Sequence, residues 1–358
     1  MDTFVVPDDR IGLELDEFLA LTFPLLNKGY LRRQVRGGRI LLDGQPVLPS
    51  QRLRVGQVLC VDFDGEADAT RPPQAPVVEV PVLYEDQDVL VMDKPAGLAV
   101  EPERWQRGEA CLAGALLELA LVRSGNRRPD SPGQSACLDF RPRLVHRIDK
   151  GTSGIVLVAR NLETERRLRG AFESGDVLKE YLALVEGEWP AEVSTARDQD
   201  AGDGGAVGGS TGELIDLPLG PDPRRSGRMQ VSTAKGQGKP SRTRVWLERP
   251  YRGYSLVRCA PLTGRTHQIR VHLAARGFPL AVDGLYGRRE ALQLSEIKSN
   301  YRSKPGRTER PLIGRLTLHA RGISFPDAAG ELVSVQAPLH RDIERVLKQL
   351  AKVRPPRG

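Results

Sequence analysis

The sequence predicts an α+β protein with two domains, a small N-terminal domain followed by a larger one. The chain has 358 residues, which is more than one small hydrophobic core usually accommodates. Residues 10–64 form a helix-then-strand module, and residues 65–78, rich in proline, alanine and threonine, are typical of a linker. Strand signals begin again at residue 79 and open a larger domain that extends to about residue 350.

Two helices and a hairpin are predicted in the N-terminal module. Apolar residues between positions 15 and 23 follow helical spacing, and a second helix runs from Lys28 to the Gly37-Gly38 pair. Asp43-Gly44 between two apolar runs is a strong signal for a tight β-hairpin. The alternating segment RLRVGQVLCVDF then predicts a further strand.

The second predicted helix carries a basic stripe. Lys28, Arg32 and Arg36 recur every four residues and therefore share one face, with Arg33 beside them. The surrounding residues 1–64 hold eight basic and nine acidic residues, so the stripe is a local feature. It indicates phosphate contact, and the alternative is a solvated helix face. The whole chain has a net charge of +7, which favours a polyanionic partner unless the charge serves only solubility.

Several classes of protein are excluded by composition. The sequence has no apolar run of eighteen residues, so we expect no membrane span. Its four cysteines are scattered and none forms a CxxC pair, which argues against a zinc cage or a disulfide scaffold. This cysteine usage fits a reducing cytoplasm, and a cytoplasmic location is the expectation.

The segment LVHRIDKGTSGIVLVARN, residues 144–161, is the first candidate for chemistry. It sets Asp149 among His146, Arg147 and Lys150, in front of a Gly-Thr-Ser-Gly turn and an apolar strand. Nearby cations would keep the carboxylate ionised, and an ionised carboxylate serves as a nucleophile or a general base. The alternative is an aspartate that only caps the turn.

Two later segments carry further candidates. Tyr181 lies on an apolar alternating strand, either as a core aromatic or as a planar face on which a base stacks. A predicted helix from about Thr266 to Gly277 bears Arg270 near its start, and a buried arginine there would need a carboxylate partner. The histidines of this segment lack the i, i+4 spacing of a helical zinc pair, so no metal site is expected.

Taken together in this order, four motifs resemble those of the RluA family of RNA pseudouridine synthases. HRIDKGTSG is similar to the family signature HRxDxxTSG, and DKPAGL before it is similar to the element KPxGL. KEYLALVEG and TGRTHQIRVHLA resemble the later tyrosine-bearing and arginine-bearing motifs. The N-terminal module resembles a small RNA-binding domain shared with a ribosomal protein. The resemblance covers residues 10–64 and 80–345.

This resemblance implies a fold and a reaction. The larger domain would be a mixed or antiparallel β-sheet with flanking helices. The reaction breaks the glycosidic bond of a uridine in RNA and rejoins the base through carbon, without a cofactor. Asp149 would be the essential carboxylate, attacking the sugar or removing a proton from it, and Arg270 would pair with it. Tyr181 would stack on the target base and assist the final proton removal from carbon five.

The resemblance also implies how RNA is held. Arg147 would occupy the space of the flipped-out nucleotide, while Lys28, Arg32, Arg33 and Arg36 would contact phosphates. Large-subunit ribosomal RNA is the expected partner, with transfer RNA as the alternative, and we expect a monomer.

Two rival functions and two surface segments complete the expectations. A non-catalytic RNA-binding factor would be expected to lack Asp149 or its arginine partner, whereas this chain has both. A hydrolase that used Asp149 and His146 would be expected to carry a GxSxG nucleophile motif, which this sequence lacks.

The Gly-rich residues 197–213 should form a flexible insertion, and the polar residues 288–310 should lie outside the core.

Overall fold

A computed structural model describes most of the chain. The described residues are 2–6, 12–23, 28–54, 56–62, 78–101, 110–123, 142–190, 212–232, 238–302, 306 and 308–356. The predicted linker 65–78 and the predicted flexible insertion 197–213 lie outside these residues except at their C-terminal ends. Both therefore stay predictions.

Helices and strands alternate along the described chain. The helices are α1 (Leu15–Thr22), α2 (Lys28–Arg36), α3 (Leu112–Arg123), α4 (Leu162–Ser174), α5 (Gln268–Ala275), α6 (Leu294–Ile297) and α7 (Arg341–Val353). The strands up to the middle of the chain are β1 (Asp2–Val5), β2 (Ile40–Leu42), β3 (Gln45–Pro46), β4 (Val58–Val61), β5 (Val82–Glu85), β6 (Val89–Lys94), β7 (Arg143–Leu144), β8 (Ser153–Ala159) and β9 (Leu178–Glu186). The remaining strands are β10 (Glu213–Asp216), β11 (Leu219–Pro221), β12 (Met229–Val231), β13 (Arg242–Tyr251), β14 (Tyr254–Pro261), β15 (Leu318–Pro326) and β16 (Leu332–Gln336).

The N-terminal residues form a four-stranded sheet in the order β1-β4-β2-β3. The predicted hairpin joins β2 to β3, and Asp43 and Gly44 both have positive φ angles, of 51° and 75°, as a type I′ turn requires. The fully buried side chains of Leu15, Leu31 and Ile40 join helices and sheet in one core. Strand β1 pairs with β4, so this sheet includes residues before the position 10 at which the sequence placed the start of the module.

The chain divides into two compact units. The first comprises Met1–Leu90, Leu98–Arg147 and Leu157–Arg169, and the second comprises Val91–Gly97, Ile148–Val156 and Gly170–Gly358. The predicted domain boundaries at residues 64 and 79 stay a prediction.

The larger sheet has ten strands. Its order is β10-β13-β14-β9-β15-β8-β6-β5, with β16 paired to β15 and β7 paired to β8. β15 pairs with β8 in parallel, whereas its pairs with β9 and β16 are antiparallel. The predicted α+β fold with a mixed sheet is thereby confirmed.

Strand β9 buries side chains on both of its faces. Leu182 and Leu184 belong to a hydrophobic cluster that includes Ile343 and Leu347 of α7. The residues between them, such as Ala183, lie in a second cluster with α5, and Tyr181 packs against that cluster. Since side chains alternate along a strand, residues 181, 183 and 185 share one face. This alternation sets Tyr181 on the face of the sheet that carries α5.

The expectation for residues 288–310 was wrong at two positions. Leu292 and Ile297 are 0% and 1% exposed and belong to the cluster that contains α7. Single apolar residues within a polar segment create no period, so sequence patterning does not reveal them. Within the described residues, no helix combines the length and the apolar character needed to cross a bilayer.

Candidate active site

Asp149 lies in the turn that leads into β8. The backbone N–H of Thr152 donates to the Asp149 carbonyl at 3.0 Å and closes this turn. Gly154 follows with a φ of 104°, and a Cβ atom there would lie 2.1 Å from the carbonyl oxygen of Ala320. The glycine is therefore required by the close approach of β15. The Gly-Thr-Ser-Gly sequence thus fixes the backbone that presents Asp149.

Arg270 joins Asp149 to a second carboxylate. Its Nη1 donates to Asp149 Oδ2 at 3.0 Å, while Nε and Nη2 donate to the two oxygens of Asp283 at 2.8 and 2.9 Å. The fork of a guanidinium matches a carboxylate in such a bidentate contact, which fixes its plane. Arg270 and Asp283 are 7% and 1% exposed, whereas the Asp149 side chain is 24% exposed. Asp149 is therefore the accessible end of a buried, oriented ion-pair chain.

Asp283 is the part of this chain that the sequence analysis missed. Burial alone would raise the pKa of its carboxyl, yet hydrogen bonds and charge from Arg270 lower it below its ordinary value. The backbone N–H groups of Leu285 and Tyr286 also donate to Asp283 Oδ1. For Arg270, burial would lower the pKa, and the two carboxylates raise it above its ordinary value. The apolar run that ends in Asp283, GFPLAVD, is the one sequence signal for this buried acid.

His267 and Tyr286 lie beside the ion pair. His267 has a φ of 55°, an uncommon left-handed conformation for a residue other than glycine. Its Nε2 lies 3.9 Å from Asp149 Oδ1, and its Nδ1 lies 2.8 Å from the Tyr286 hydroxyl. The Tyr286 ring centroid is 4.9 Å from the Arg270 Cζ, within range of a cation–π contact. Sequence reasoning did not single out Tyr286.

Tyr181 is half-buried and lies within electrostatic reach of Asp149. Burial raises the pKa of its phenol far above its ordinary value, and the charge of Asp149 raises it further. Because the phenolate is disfavoured, Tyr181 presents a neutral ring and a hydroxyl at physiological pH. The structure thus brings together the three predicted catalytic residues Asp149, Tyr181 and Arg270.

Lys94 is a further titratable group at this site. It is fully buried, and its Nζ donates to the carbonyl oxygens of Pro95 at 3.0 Å and Lys150 at 3.2 Å. Burial lowers its pKa to about 7, the charge of Asp149 opposes this shift, and Arg315 adds to it. Since Lys150 directly follows Asp149, this ammonium fixes the backbone next to the carboxylate.

Arg147 and His146 precede Asp149 in the chain. The Arg147 side chain is 77% exposed, and its Nη1 lies 3.7 Å from Glu101 Oε2. His146 Nε2 accepts a hydrogen bond from the backbone N–H of Leu157 at 2.8 Å. That nitrogen therefore carries no proton and is occupied by the backbone, which disfavours His146 as the general base of a hydrolase.

The basic stripe of α2 is partly neutralised. Asp16 is 1% exposed and accepts from Arg32 at 2.6 Å, with Lys28 Nζ 3.3 Å away. The Arg33 Cζ lies 5.9 Å from the centroid of the Tyr30 ring, and Arg36 is exposed. Two of the four predicted phosphate contacts therefore share their charge with a buried carboxylate.

The described residues show no cluster that suits a metal ion. Among them, no group of three or more histidine, cysteine, aspartate or glutamate side chains converges. His272 hydrogen-bonds instead to Thr243 and to the Leu217 carbonyl, and burial lowers its pKa. A neutral imidazole that forms hydrogen bonds through both ring nitrogens has a structural role.

Comparison with known proteins identifies the family of this chain. A family model described as RNA pseudouridylate synthase matches residues 88–275, which is more than half of the chain. The chain belongs to the RNA pseudouridylate synthase family. The sequence-based assignment to RluA-type synthases and to the isomerase class is thereby confirmed. Enzymes of the RNA pseudouridylate synthase family convert uridine to pseudouridine in RNA.

Relatives of this synthase match along nearly its whole length. Ribosomal large subunit pseudouridine synthase C of Escherichia coli (strain K12) is 30% identical over 354 residues, covering 97% of this chain and 95% of that protein. Ribosomal large subunit pseudouridine synthase D of Xanthomonas campestris pv. campestris is 33% identical, covering 97% and 91%. The human RNA pseudouridylate synthase domain containing 4 structure has a TM-score of 0.53 and 22% identity, and covers 75% of this chain and 92% of that one. That structural likeness supports the fold.

Proposed function

We propose that this protein isomerises uridines of large-subunit ribosomal RNA to pseudouridine, with Asp149 as the reacting group. The observation that carries the proposal is the guanidinium of Arg270, which holds Asp149 on one side and the buried Asp283 on the other. The names of the two bacterial relatives support ribosomal RNA as the substrate. Transfer RNA is the alternative substrate.

The geometry favours Oδ1 of Asp149 as the reacting oxygen. Oδ2 accepts the hydrogen bond from Arg270, whereas Oδ1 is 3.9 Å from His267, beyond hydrogen-bond distance. An oxygen of this kind attacks the sugar carbon or removes a proton from the sugar, and either step requires the ionised carboxylate. In either route the bond between the sugar and N1 of the base breaks and a bond between the sugar and carbon five forms. Carbon five then loses its proton to solvent, N1 gains a proton, and the carboxylate is regenerated, so the isomerisation consumes no oxidant or reductant.

Tyr181 and Arg147 would position the nucleotide and would not take part in breaking the glycosidic bond. Base–aromatic stacking is worth about 1–3 kcal/mol, and the neutral, half-buried ring of Tyr181 suits it. A base must leave its stack before its glycosidic bond is reachable, which costs a few kcal/mol. The exposed Arg147 guanidinium would offset part of this cost by stacking in the vacated space.

The remaining expectations concern partners and location. Phosphate contacts from α2, led by Arg33 and Arg36, would make RNA binding depend on salt. We infer a monomer that works in the cytoplasm, where ribosomal RNA is available to a bacterial-type synthase. Sedimentation at micromolar concentration tests the monomer, and cell fractionation tests the location.

Asp149→Asn tests the reaction itself. The amide has nearly the same shape as the carboxylate but neither attacks nor removes a proton, so we expect tritium release from uridine labelled at carbon five to fall to background. RNA affinity should stay within about twofold, because the phosphate contacts are unchanged. Asp176→Asn, at an exposed position, is the matched control and should release tritium at the wild-type rate. Wild-type release by Asp149→Asn would exclude Asp149 as the reacting group.

The substrate needs a separate experiment. Carbodiimide modification followed by primer extension maps pseudouridines in the ribosomal and transfer RNA of cells with and without the gene. Loss of signal from large-subunit ribosomal RNA in the deletion strain is the expected result. Loss confined to transfer RNA would instead support the alternative substrate.

A further inference from the structure

The hairpin formed by β11 and β12 carries a concentrated positive charge. Between Leu219 and Val231 the sequence holds three arginines and a single acidic residue, Asp222. Arg224 and Arg225 are exposed, and the side chain of Arg228 is 31% exposed. We call Arg224, Arg225 and Arg228 the hairpin arginines.

The turn of this hairpin is held without the hairpin arginine side chains. Asp222 Oδ1 accepts from the backbone N–H of Arg224 at 2.9 Å, and the Asp222 N–H donates to the Arg228 carbonyl at 2.9 Å. The Arg228 Nη1 is 3.8 Å from Asp222 Oδ2, which is too long for a hydrogen bond. Backbone bonds and one carboxylate therefore fix the loop, and the guanidinium groups are not needed to close it.

The hairpin arginines line a concave surface. Together with Asp222, Pro223 and Gln230 they border a half-open surface depression of about 430 Å³. A concave site lined by several guanidinium groups suits a phosphate, because each guanidinium offers two parallel donors that match two phosphate oxygens. The single carboxylate at this site is already engaged with the loop backbone.

Tyr286 connects this hairpin to the catalytic ion pair. Its hydroxyl accepts from the backbone N–H of Met229 at 2.8 Å and lies 2.8 Å from His267 Nδ1. Its ring centroid is 5.4 Å from the Arg228 Cζ and 4.9 Å from the Arg270 Cζ. Arg228, one of the hairpin arginines, is thus linked through one aromatic ring to Arg270, the residue that holds Asp149. A nucleotide chain that delivers a uridine to Asp149 would therefore pass close to Arg228.

We propose that the hairpin arginines form an RNA-backbone site that binds phosphates flanking the target uridine. The inference rests on the proposed function, since that function makes RNA the molecule bound at Asp149. The site reads phosphate and not base identity, so it positions the strand and adds affinity for every sequence. An acidic protein segment would also offer negative charge to these arginines. The proposed reaction at Asp149 acts on a uridine, however, so RNA is the partner that fits both surfaces.

The test compares full-length variants that lose the same charge. Arg224→Gln/Arg225→Gln removes two exposed guanidinium groups, and Lys348→Gln/Lys352→Gln removes two exposed cations from α7. Binding of a fluorescent RNA fragment that contains the mapped uridine is measured by anisotropy across a salt series. Each single-strand phosphate contact contributes roughly 0.7 to the slope of log K against log[salt], so the hairpin variant should lose about 1.4. That loss corresponds to about 25-fold weaker binding at ~0.1 M salt if the effect vanishes near ~1 M.

Turnover supplies the second readout. Because phosphates are contacted equally in the ground state and the transition state, KM should rise in the hairpin variant while kcat stays close to that of the wild type. The α7 variant should match the wild type in slope, KM and kcat. An unchanged slope and KM in the hairpin variant of an active enzyme would overturn the RNA-backbone site alone. Absence of pseudouridine formation by the wild type would overturn the proposed function, a result that the binding measurements do not influence.

Discussion

At the residue scale, the buried ammonium of Lys94 makes the stability of the protein depend on pH. Its ammonium is fully buried and donates to two backbone carbonyls, one of them in the residue after Asp149. Burial moves its pKa from 10.5 to about 7. The unfolded chain holds this proton up to about pH 10.5, whereas the folded chain releases it near pH 7. Between these values the folded state binds fewer protons, so stability rises with pH.

Lys94→Met should remove this pH dependence. The difference in free energy of unfolding, wild type minus variant, should increase by up to about 1.4 kcal/mol per pH unit as the pH rises from about 7 toward 10.5. Urea denaturation at pH 7, 8 and 9 measures it. For Lys348→Met, which replaces an exposed lysine, the difference in free energy of unfolding from the wild type should stay constant across these pH values. If the Lys94→Met difference were also constant with pH, Lys94 would not titrate in this window.

The residues of the candidate active site differ in how well sequence patterns reveal them. Asp149 lies in HRIDKGTSG, where the glycines predict a turn and the neighbouring basic residues indicate an ionised carboxylate. Arg270 lies in the similarly recognisable motif TGRTHQIRVHLA. Asp283 and Tyr286 lie outside those motifs, and their roles arise only when the chain after α5 folds back onto that helix. These contacts join residues that are far apart in the sequence and produce no local period, so sequence patterning does not reveal them.

At the element scale, the pairing of β8 with β15 depends on Gly154. These strands run parallel, with Ala320 opposite Gly154, and a Cβ would meet the Ala320 carbonyl oxygen at 2.1 Å. The backbone also has a φ of 104°, which residues with a side chain rarely adopt. β8 follows directly from the turn that bears Asp149, so any separation of these strands displaces the carboxylate.

Gly154→Ala should therefore destabilise the protein by at least about 2–3 kcal/mol and lower kcat. Gly170→Ala is the matched control, because Gly170 lies in α4 with open space around its Cβ position. Relief of helical glycine entropy should make that variant more stable by about 0.5–1 kcal/mol. Chemical denaturation of both proteins measures the two effects. Equal stabilities would mean that β15 yields easily to a side chain at position 154.

Helices and strands with a strong local sequence pattern were predicted correctly. Short strands that form because they pair with another strand were not predicted. The Asp43-Gly44 hairpin, the apolar strand after Asp149 and the helix that bears Arg270 all formed where their patterns indicated. Strand β1 is four residues long and exists through its pairing with β4. The hairpin of β11 and β12 likewise has strands of three residues each, too short for an alternation to register.

At the scale of the whole molecule, charge is distributed unevenly. The net charge of +7 says little about where RNA binds, because many basic side chains already face an acid. Lys28 and Arg32 share the buried Asp16, while the hairpin arginines outnumber their single acidic neighbour. On this view, we expect the exposed arginines Arg36, Arg224 and Arg225 to contribute more to RNA affinity than Lys28 and Arg32, whose charge is shared with Asp16.

Two variants of α2 separate these kinds of cation. Arg36→Gln and Arg32→Gln remove the same charge from one helix, but Arg36 is exposed whereas Arg32 donates to Asp16 at 2.6 Å. Arg36→Gln should lower the salt slope of RNA binding by roughly 0.7 and leave stability unchanged. Arg32→Gln should cost about 1 kcal/mol of stability, because Asp16 loses a partner, and should change the slope less. Anisotropy titrations and urea denaturation give both quantities. If neither variant altered the slope, α2 would be a solvated face, and RNA affinity would have to come from other surfaces.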